Sequence, residues 1–272
     1  MSLNEAPLGK TSDYPDRYSP ELLFPVPRDD NRRRIGLDDG RWPWFGEDVW
    51  QAWELSWLRP GGVPAVAWGE IRVPAASVAL IESKSLKLYL NSLNQTVFSS
   101  TDQVQATIEQ DLSSASGSAI RVRLYDVDQT MAVTGRPAGF ELVDDIGLED
   151  VGYEYCPEVL RAAGGQVSEK LCSHLLKSNC PVTGQPDWGS LLVEYTGPAI
   201  DRASLLRYVV GFRQQQDFHE HCVETVFTDI WRQCQPETLT VSARYTRRGG
   251  LDINPWRSTT VGEAPSLRLV RQ

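Results

Sequence analysis

A cysteine and an aspartate share the loop Asn179-Cys180-Pro181-Val182-Thr183-Gly184-Gln185-Pro186-Asp187-Trp188-Gly189. Proline fixes φ and removes a donor, and glycine permits unusual turns. The stretch therefore reads as a shaped loop, with a strand-like run beginning at Trp188. Such a loop can hold a thiol and a carboxyl group side by side against a ligand. A thiol nucleophile needs a proton donor or acceptor nearby, and Asp187 is a candidate for it. A buried cysteine in a turn, with an aspartate bonding its own backbone, is the plain alternative, and this spacing alone does not decide between them.

Further chemistry-bearing residues lie at helix starts. Lys84 and Lys87 follow Ser83 in the first turn of an expected helix. Free N–H groups and a partial positive charge at a helix N-terminus, joined by two ammonium groups, make a phosphate site; a solvated lysine face is the commoner outcome. Arg248-Gly249-Gly250 offers a guanidinium fork beside a backbone that a ligand can approach, or only a hairpin turn. Glu82 and Glu220 either cap helices or accept hydrogen bonds from an amino-pyrimidine edge. His219 can add a hydrogen bond or move a proton. His219, His221 and Cys222 hint at zinc, but helix spacing turns the two histidines apart and no remote ligand matches, so no metal is expected.

These groups need elements to hold them. Apolar residues at helical spacing predict helices over Ser83–Asn94 (Leu86, Tyr89, Leu90, Leu93) and from Thr101 (Val104, Ile108, Leu112). The same spacing predicts Ala203–Arg213 (Leu205, Tyr208, Val209, Phe212) and His221–Gln235 (Val223, Val226, Phe227, Ile230, Trp231). Strands are expected at Gln51–Leu58, Trp68–Val73, Ala119–Val127, Gly139–Val143, Trp188–Tyr195, Leu239–Tyr245 and Ser266–Val270. Strand, helix, helix, strand thus occurs twice. Ile81–Leu90 aligns with Ile200–Val209, Trp68-Gly69 with Trp188-Gly189, Tyr125 with Tyr245 and, with one residue of slack, Phe98–Thr101 with Phe218–His221. Duplication is the better account of this order. The reactive groups are then divided: Glu82, Ser83, Lys84 and Lys87 in one half, Cys180, Asp187, His219 and Glu220 in the other, and one site at the junction of the halves would use both.

The composition sets outer bounds. With 272 residues, 41% hydrophobic and 23% charged, the chain has room for two modest domains. Neither a membrane span nor a secretory signal is expected, and five cysteines without a framework spacing suggest free thiols in the cytoplasm. A formal net charge of −9 disfavours nucleic acid as a direct partner. Residues 1–40 read as an N-terminal surface arm, with Arg32-Arg33-Arg34 a solvated face; 41–150 and 151–272 read as the two modules. The tryptophans at 42, 44, 50, 53 and 57 read as half-buried strand aromatics.

Four stretches together carry a resemblance. They are Glu82-Ser83-Lys84-Ser85-Leu86-Lys87-Leu88-Tyr89, the Cys180 loop, Phe218-His219-Glu220, and Arg247-Arg248-Gly249-Gly250-Leu251-Asp252-Ile253-Asn254-Pro255. Over roughly residues 40–272 the chain resembles the QueF family of NADPH-dependent 7-cyano-7-deazaguanine reductases, in its longer, two-module branch. The resemblance implies an α+β fold of tandem tunnelling-fold (T-fold) modules, each an antiparallel sheet with two helices on one face. The implied reaction takes the nitrile of the free base 7-cyano-7-deazaguanine (preQ0) to an aminomethyl group with two NADPH, during queuosine synthesis for tRNA. By resemblance Cys180 is the nucleophile forming a thioimide, Asp187 the general acid and His219 a further catalytic residue. Ile81, Glu82, Ser83, His219 and Glu220 line the base site; Ser83, Lys84, Lys87, Arg248 and Gly249 meet NADPH. No Gly-x-Gly-x-x-Gly is present, so the cofactor is not expected in a Rossmann crevice. Edge-to-edge assembly of such modules makes a homodimer the expectation. A zinc-dependent cyclohydrolase-like enzyme and a non-catalytic purine-binding protein of the same fold are the alternatives.

Overall fold

Two strands joined by a glycine turn begin the sheet of the first compact unit. The structure, a computed structural model, describes residues 14–37, 40–129, 131–149 and 151–272. Contacts divide the described chain into two compact units. One takes its residues from Met1–Asp30, Asp48–Met131 and Arg247–Ile253; the other takes them from Asn31–Glu47, Ala132–Thr246 and Asn254–Gln272.

In the first unit, β1 (Phe45–Leu58, here from Asp48) turns through Gly61 and Gly62, both at positive φ, into β2 (Pro64–Pro74). Two helices follow, α1 (Ser83–Ser92) and α2 (Thr101–Ser116), then β3 (Arg121–Tyr125), antiparallel to β2. Both helices bury the stripes expected of them: Leu86, Tyr89, Leu90 and Leu93 from the first, Val104, Ile108 and Leu112 from the second. They join Trp50, Trp57, Ile71 and Val122 of the strands in one core.

The second unit repeats this order. β4 (Ala162–Ser173) pairs antiparallel with β5 (Pro186–Ile200). Then come α3 (Arg202–Gly211), α4 (His219–Cys234), β6 (Thr238–Tyr245) and β7 (Leu251–Ser258, here from Asn254), with β6 lying between β5 and β7. Leu205, Tyr208, Val209 and Phe212 pack with Val223, Val226, Phe227 and Ile230 against Leu191, Val193, Val241 and Ala243. The α+β architecture, antiparallel strands carrying two helices, is the one expected of a T-fold module.

Hydrogen bonds repeat as well, and this argues for duplication more strongly than apolar spacing does. Glu82 caps α1 through the N–H groups of Lys84 and Ser85, and Asp201 caps α3 through that of Ser204. Ser85 Oγ donates to Glu82 O and Ser204 Oγ to Asp201 O. Tyr89 and Tyr18 both donate to Asp111; Tyr208 and Tyr155 both donate to Asp229. The segments Tyr18-Ser19-Pro20-Glu21-Leu22-Leu23 and Tyr155-Cys156-Pro157-Glu158-Val159-Leu160 therefore correspond. Part of the stretch read as a surface arm is built into the first unit: Phe24 N–H donates to Ser85 Oγ, and Pro25–Pro27 pairs with Ala79–Ile81.

The detailed alignment shifts in two places. The long helices start at Thr101 and His219, so His219 corresponds to Thr101 rather than Ser99. Trp68 pairs with Tyr125, whereas Gly189 pairs with Tyr245, one residue off the expected match.

Arg32 is a correction. Only Arg33 and Arg34 of that run are exposed. Arg32 is buried, with Nη2 2.8 Å from Glu224 Oε1 and Nε 3.1 Å from Oε2, and its guanidinium lies over Trp42. Arg257 Nη2 reaches the same Oε1 at 2.8 Å. One carboxylate on α4 thus neutralises part of two buried guanidinium groups. Glu224→Gln takes one shared carboxylate charge away from both and is expected to cost about 3–5 kcal/mol of stability. Urea unfolding against wild type measures it; a loss under about 1 kcal/mol would show that the triad contributes little.

Candidate active site

The Cys180 loop is the tip of a hairpin in the second unit. Lys177–Asn179 pairs antiparallel with the start of β5, setting Asn179 opposite Pro186 and Ser178 opposite Asp187. The tip closes through Cys180 N–H to Gln185 O at 2.9 Å and Gly184 N–H to Cys180 O at 3.0 Å, with Gly184 at φ 67°. Positive φ at that bend suits glycine. Asp187 was expected in the loop; it lies inside the strand, because pairing with Ser178 carries β5 back to Pro186.

The Cys180 sulfur is buried, and the Thr183 N–H points at it from 3.5 Å, a donor placed where a thiolate carries its charge. Three other cysteines are unsuited to attack. Burial pushes Cys234 up to about 11, and burial with the nearby Asp144 charge pushes Cys172 up to about 12. Cys222 is raised further, mainly by burial, so all three stay thiols near neutrality.

Asp187 meets His219, the first residue of α4: Oδ2 and Nε2 are 3.4 Å apart, and both side chains are largely buried. His221 turns elsewhere, with Nδ1 3.0 Å from Asp217. The two histidines thus have separate carboxylates, as their spacing on a helix requires. Among the described residues, no three His, Cys, Asp or Glu side chains are arranged to hold a metal ion. Glu220, next in α4, is buried; the N-cap is Phe218, which offers no side-chain bond, so Glu220 is not the cap.

A second group lies in the first unit. Glu82 is fully buried at the start of α1, Oε1 accepting from Lys84 N–H at 2.7 Å and Oε2 from Ser85 N–H at 2.8 Å. Burial raises its pKa and those two donors pull it back, leaving it raised on balance. Ser83 Oγ donates to Glu82 Oε1 at 3.4 Å, and Ile81, buried, ends the strand that leads in.

Lys87, one turn on, donates to Glu54 Oε2 at 3.0 Å and to Gly249 O. Gly249 and Gly250 have φ of 58° and 78°, and Arg248 and Leu251 exchange backbone hydrogen bonds, giving the two-residue turn that positive φ at both central positions demands. A Cβ on Gly249 would stand 3.0 Å from Lys87 Cδ, and one on Gly250 2.4 Å from Glu54 Cδ. Glu54, Lys87, Gly249 and Gly250, with Ala52, Leu55, Leu90, Asn91 and Leu251, line a small pocket open to solvent. Lys87 and Gly249 therefore meet, and Arg248 adjoins them in the turn.

Residues 14–124 match the family model described as nitrile reductase, 7-cyano-7-deazaguanine-reductase N-term, and residues 186–263 the model described as QueF-like protein. An NADPH-dependent 7-cyano-7-deazaguanine reductase of Chromohalobacter salexigens is 52% identical over 273 residues, covering 100% of this chain and 98% of that protein. The chain belongs to this family. The protein of the same name from Dechloromonas aromatica is 52% identical over 270 residues, covering 98% of this chain and 95% of that protein. Among solved structures, the apo archaeosine synthase QueF-Like overlaps 37% of this chain and 99% of its own, at 17% identity and a TM-score of 0.32.

One contact in the site went unread in the sequence. The His219 ring stacks on Tyr245, centroids 3.8 Å apart and planes at 9°. The signal lay in the two Trp-Gly pairs: each glycine makes room for a neighbour, Gly189 for the Tyr245 ring and Gly69 for Leu55 and Leu124.

Proposed function

We propose that this chain is an NADPH-dependent nitrile oxidoreductase that reduces preQ0 to 7-aminomethyl-7-deazaguanine (preQ1) in queuosine biosynthesis, through a thioimide on Cys180. Full-length identity to reductases of that name supports the reaction. The observation that carries the mechanism is the hairpin that bears Cys180 with a donor at its sulfur and, in its second strand, Asp187 paired to His219.

A nitrile carbon is a poor hydride acceptor, and covalent attack divides the difficult step. The Cys180 sulfur bonds to the nitrile carbon, one C–N π bond opens, and the nitrogen takes a proton from Asp187. His219, against Asp187, passes protons to that carboxylate and hydrogen-bonds the substrate. Glu82 and Glu220 accept from the amino-pyrimidine edge; Glu82 Oε2 accepts one backbone N–H and retains a lone pair for this, while Oε1 is taken by Lys84 N–H and Ser83 Oγ. Ile81 and Ser83 complete the base site.

NADPH supplies hydride, two for each nitrile. The residues present suit it. Lys87, Lys84 and Arg248 bring three cations, the Gly249–Gly250 turn lets Lys87 come close to the backbone, and Leu55, Leu90 and Leu251 give the pocket an apolar side. Ser83 and Gly249 make the remaining cofactor contacts.

In this reading the substrate is the free base, and nucleic acid and membrane take no part. The chain works as a homodimer in the cytoplasm. Arg121–Tyr125 ends the strand order of its unit, an edge of the kind that assembly covers. No helix among the described residues is long and apolar enough to cross a membrane. The test is stoichiometry: purified protein given limiting preQ0 should oxidise two NADPH per base and yield preQ1. Absence of NADPH oxidation would refute the proposal.

A further inference from the structure

Hydrogen bonds alone do not fix the direction of the His219 ring. Its Nε2 lies 3.4 Å from Asp187, while the buried Nδ1 has no hydrogen-bond partner among the described residues. Histidines that act in a fixed direction are usually held at the second nitrogen too. Here the ring face is held instead. Tyr245, fully buried, lies parallel to the imidazole at 3.8 Å.

Tyr245 ends β6, directly opposite Gly189 of β5. A Cβ at Gly189 would stand 3.1 Å from Tyr245 Cδ1 and 3.2 Å from Cε1, so a side chain there would displace the ring. The phenol end lies with Ser178 and Cys222, and burial holds its hydroxyl well above the ordinary tyrosine pKa. It is therefore a neutral phenol near neutrality and neither base nor nucleophile.

We infer that Tyr245 is a positioning residue for nitrile reduction: its ring, seated over Gly189, aims the His219 imidazole at Asp187. The inference rests on the role of His219 proposed above. Because Tyr245 acts through a ring face, an aromatic replacement should serve and an aliphatic one of similar bulk should not.

The chain has three histidines, His174, His219 and His221, so their ring signals can be assigned by NMR, substituting each in turn. In wild type the facing phenol should shift the His219 ring protons upfield. Tyr245→Phe should keep that shift and hold kcat within about threefold. Tyr245→Leu should abolish the shift and lower kcat about tenfold or more, with KM for NADPH unchanged, because small errors of alignment are costly in a reacting site. Gly189→Ala, which pushes the ring without removing it, should weaken both the shift and kcat, and it decides the matter if Tyr245→Leu does not fold.

Wild-type kcat in Tyr245→Leu, or in Gly189→Ala where that variant decides, would overturn the inference. So would an unchanged His219 shift, or a Phe variant as impaired as the Leu variant. His219→Asn separates the two levels. If it turns over like wild type, the role of His219 fails and takes this inference with it. If it is impaired while Tyr245→Leu is not, this inference fails alone.

Discussion

Cys180→Ala is expected to lower kcat by at least about 10⁴-fold, equivalent to about 5.5 kcal/mol of lost barrier reduction. Without the sulfur, hydride must add to an unactivated nitrile, and burial holds Cys172, Cys222 and Cys234 as protonated thiols. The fold should tolerate the change, since the hairpin tip is closed by the backbone groups of Cys180, Gly184 and Gln185 rather than by the sulfur. Unchanged binding of preQ0 in the variant would place the whole loss in chemistry. A kcat within about tenfold of wild type would mean that reduction proceeds without a covalent intermediate.

Asp187→Asn should cost about 10²–10⁴-fold in kcat, the range for losing a positioned proton donor. Asparagine has nearly the same shape, so strand pairing with Ser178 persists and the loss is chemical. It also removes the carboxylate that His219 faces. The steady-state rate and the single-turnover rate of adduct formation should fall together. A variant that forms the adduct at the wild-type rate would take Asp187 out of the protonation step.

The helices were legible because each buries a continuous stripe, and every stripe residue expected in α1, α2 and α3 is buried. Two of the longer strands were not. β4 carries Gly164, Gly165, Glu169 and Lys170 and is largely exposed along its first part, so it shows no apolar alternation to read. β7 fails for the opposite reason. It is buried throughout, yet it holds Asp252, Asn254, Pro255 and Arg257, a polar set that reads as a loop. Partners distant in sequence satisfy those groups: Trp53 donates to Asp252, Gln272 to Asn254, and Arg257 donates to Glu224.

Arg32 was misread for the same reason, since its counter-charge on Glu224 is far along the chain. Of the site, single residues and their motifs were readable, as was the reason His219 and His221 diverge. The Asp187–His219 pair and the Tyr245 ring beneath it depend on which strands lie side by side, and spacing does not carry that. The repeated Tyr-x-Pro-Glu at Tyr18 and Tyr155 was in plain view, and it marks where each repeat begins.

Intact mass spectrometry of the protein mixed with preQ0 alone tests the central claim most directly. Wild type should gain the mass of one preQ0 per chain, since thiol addition to a nitrile expels nothing, and NADPH should discharge the adduct. Cys180→Ala should gain none. An unmodified wild-type mass under conditions that support turnover, or an adduct that persists in Cys180→Ala, would contradict a bond between the Cys180 sulfur and the nitrile carbon.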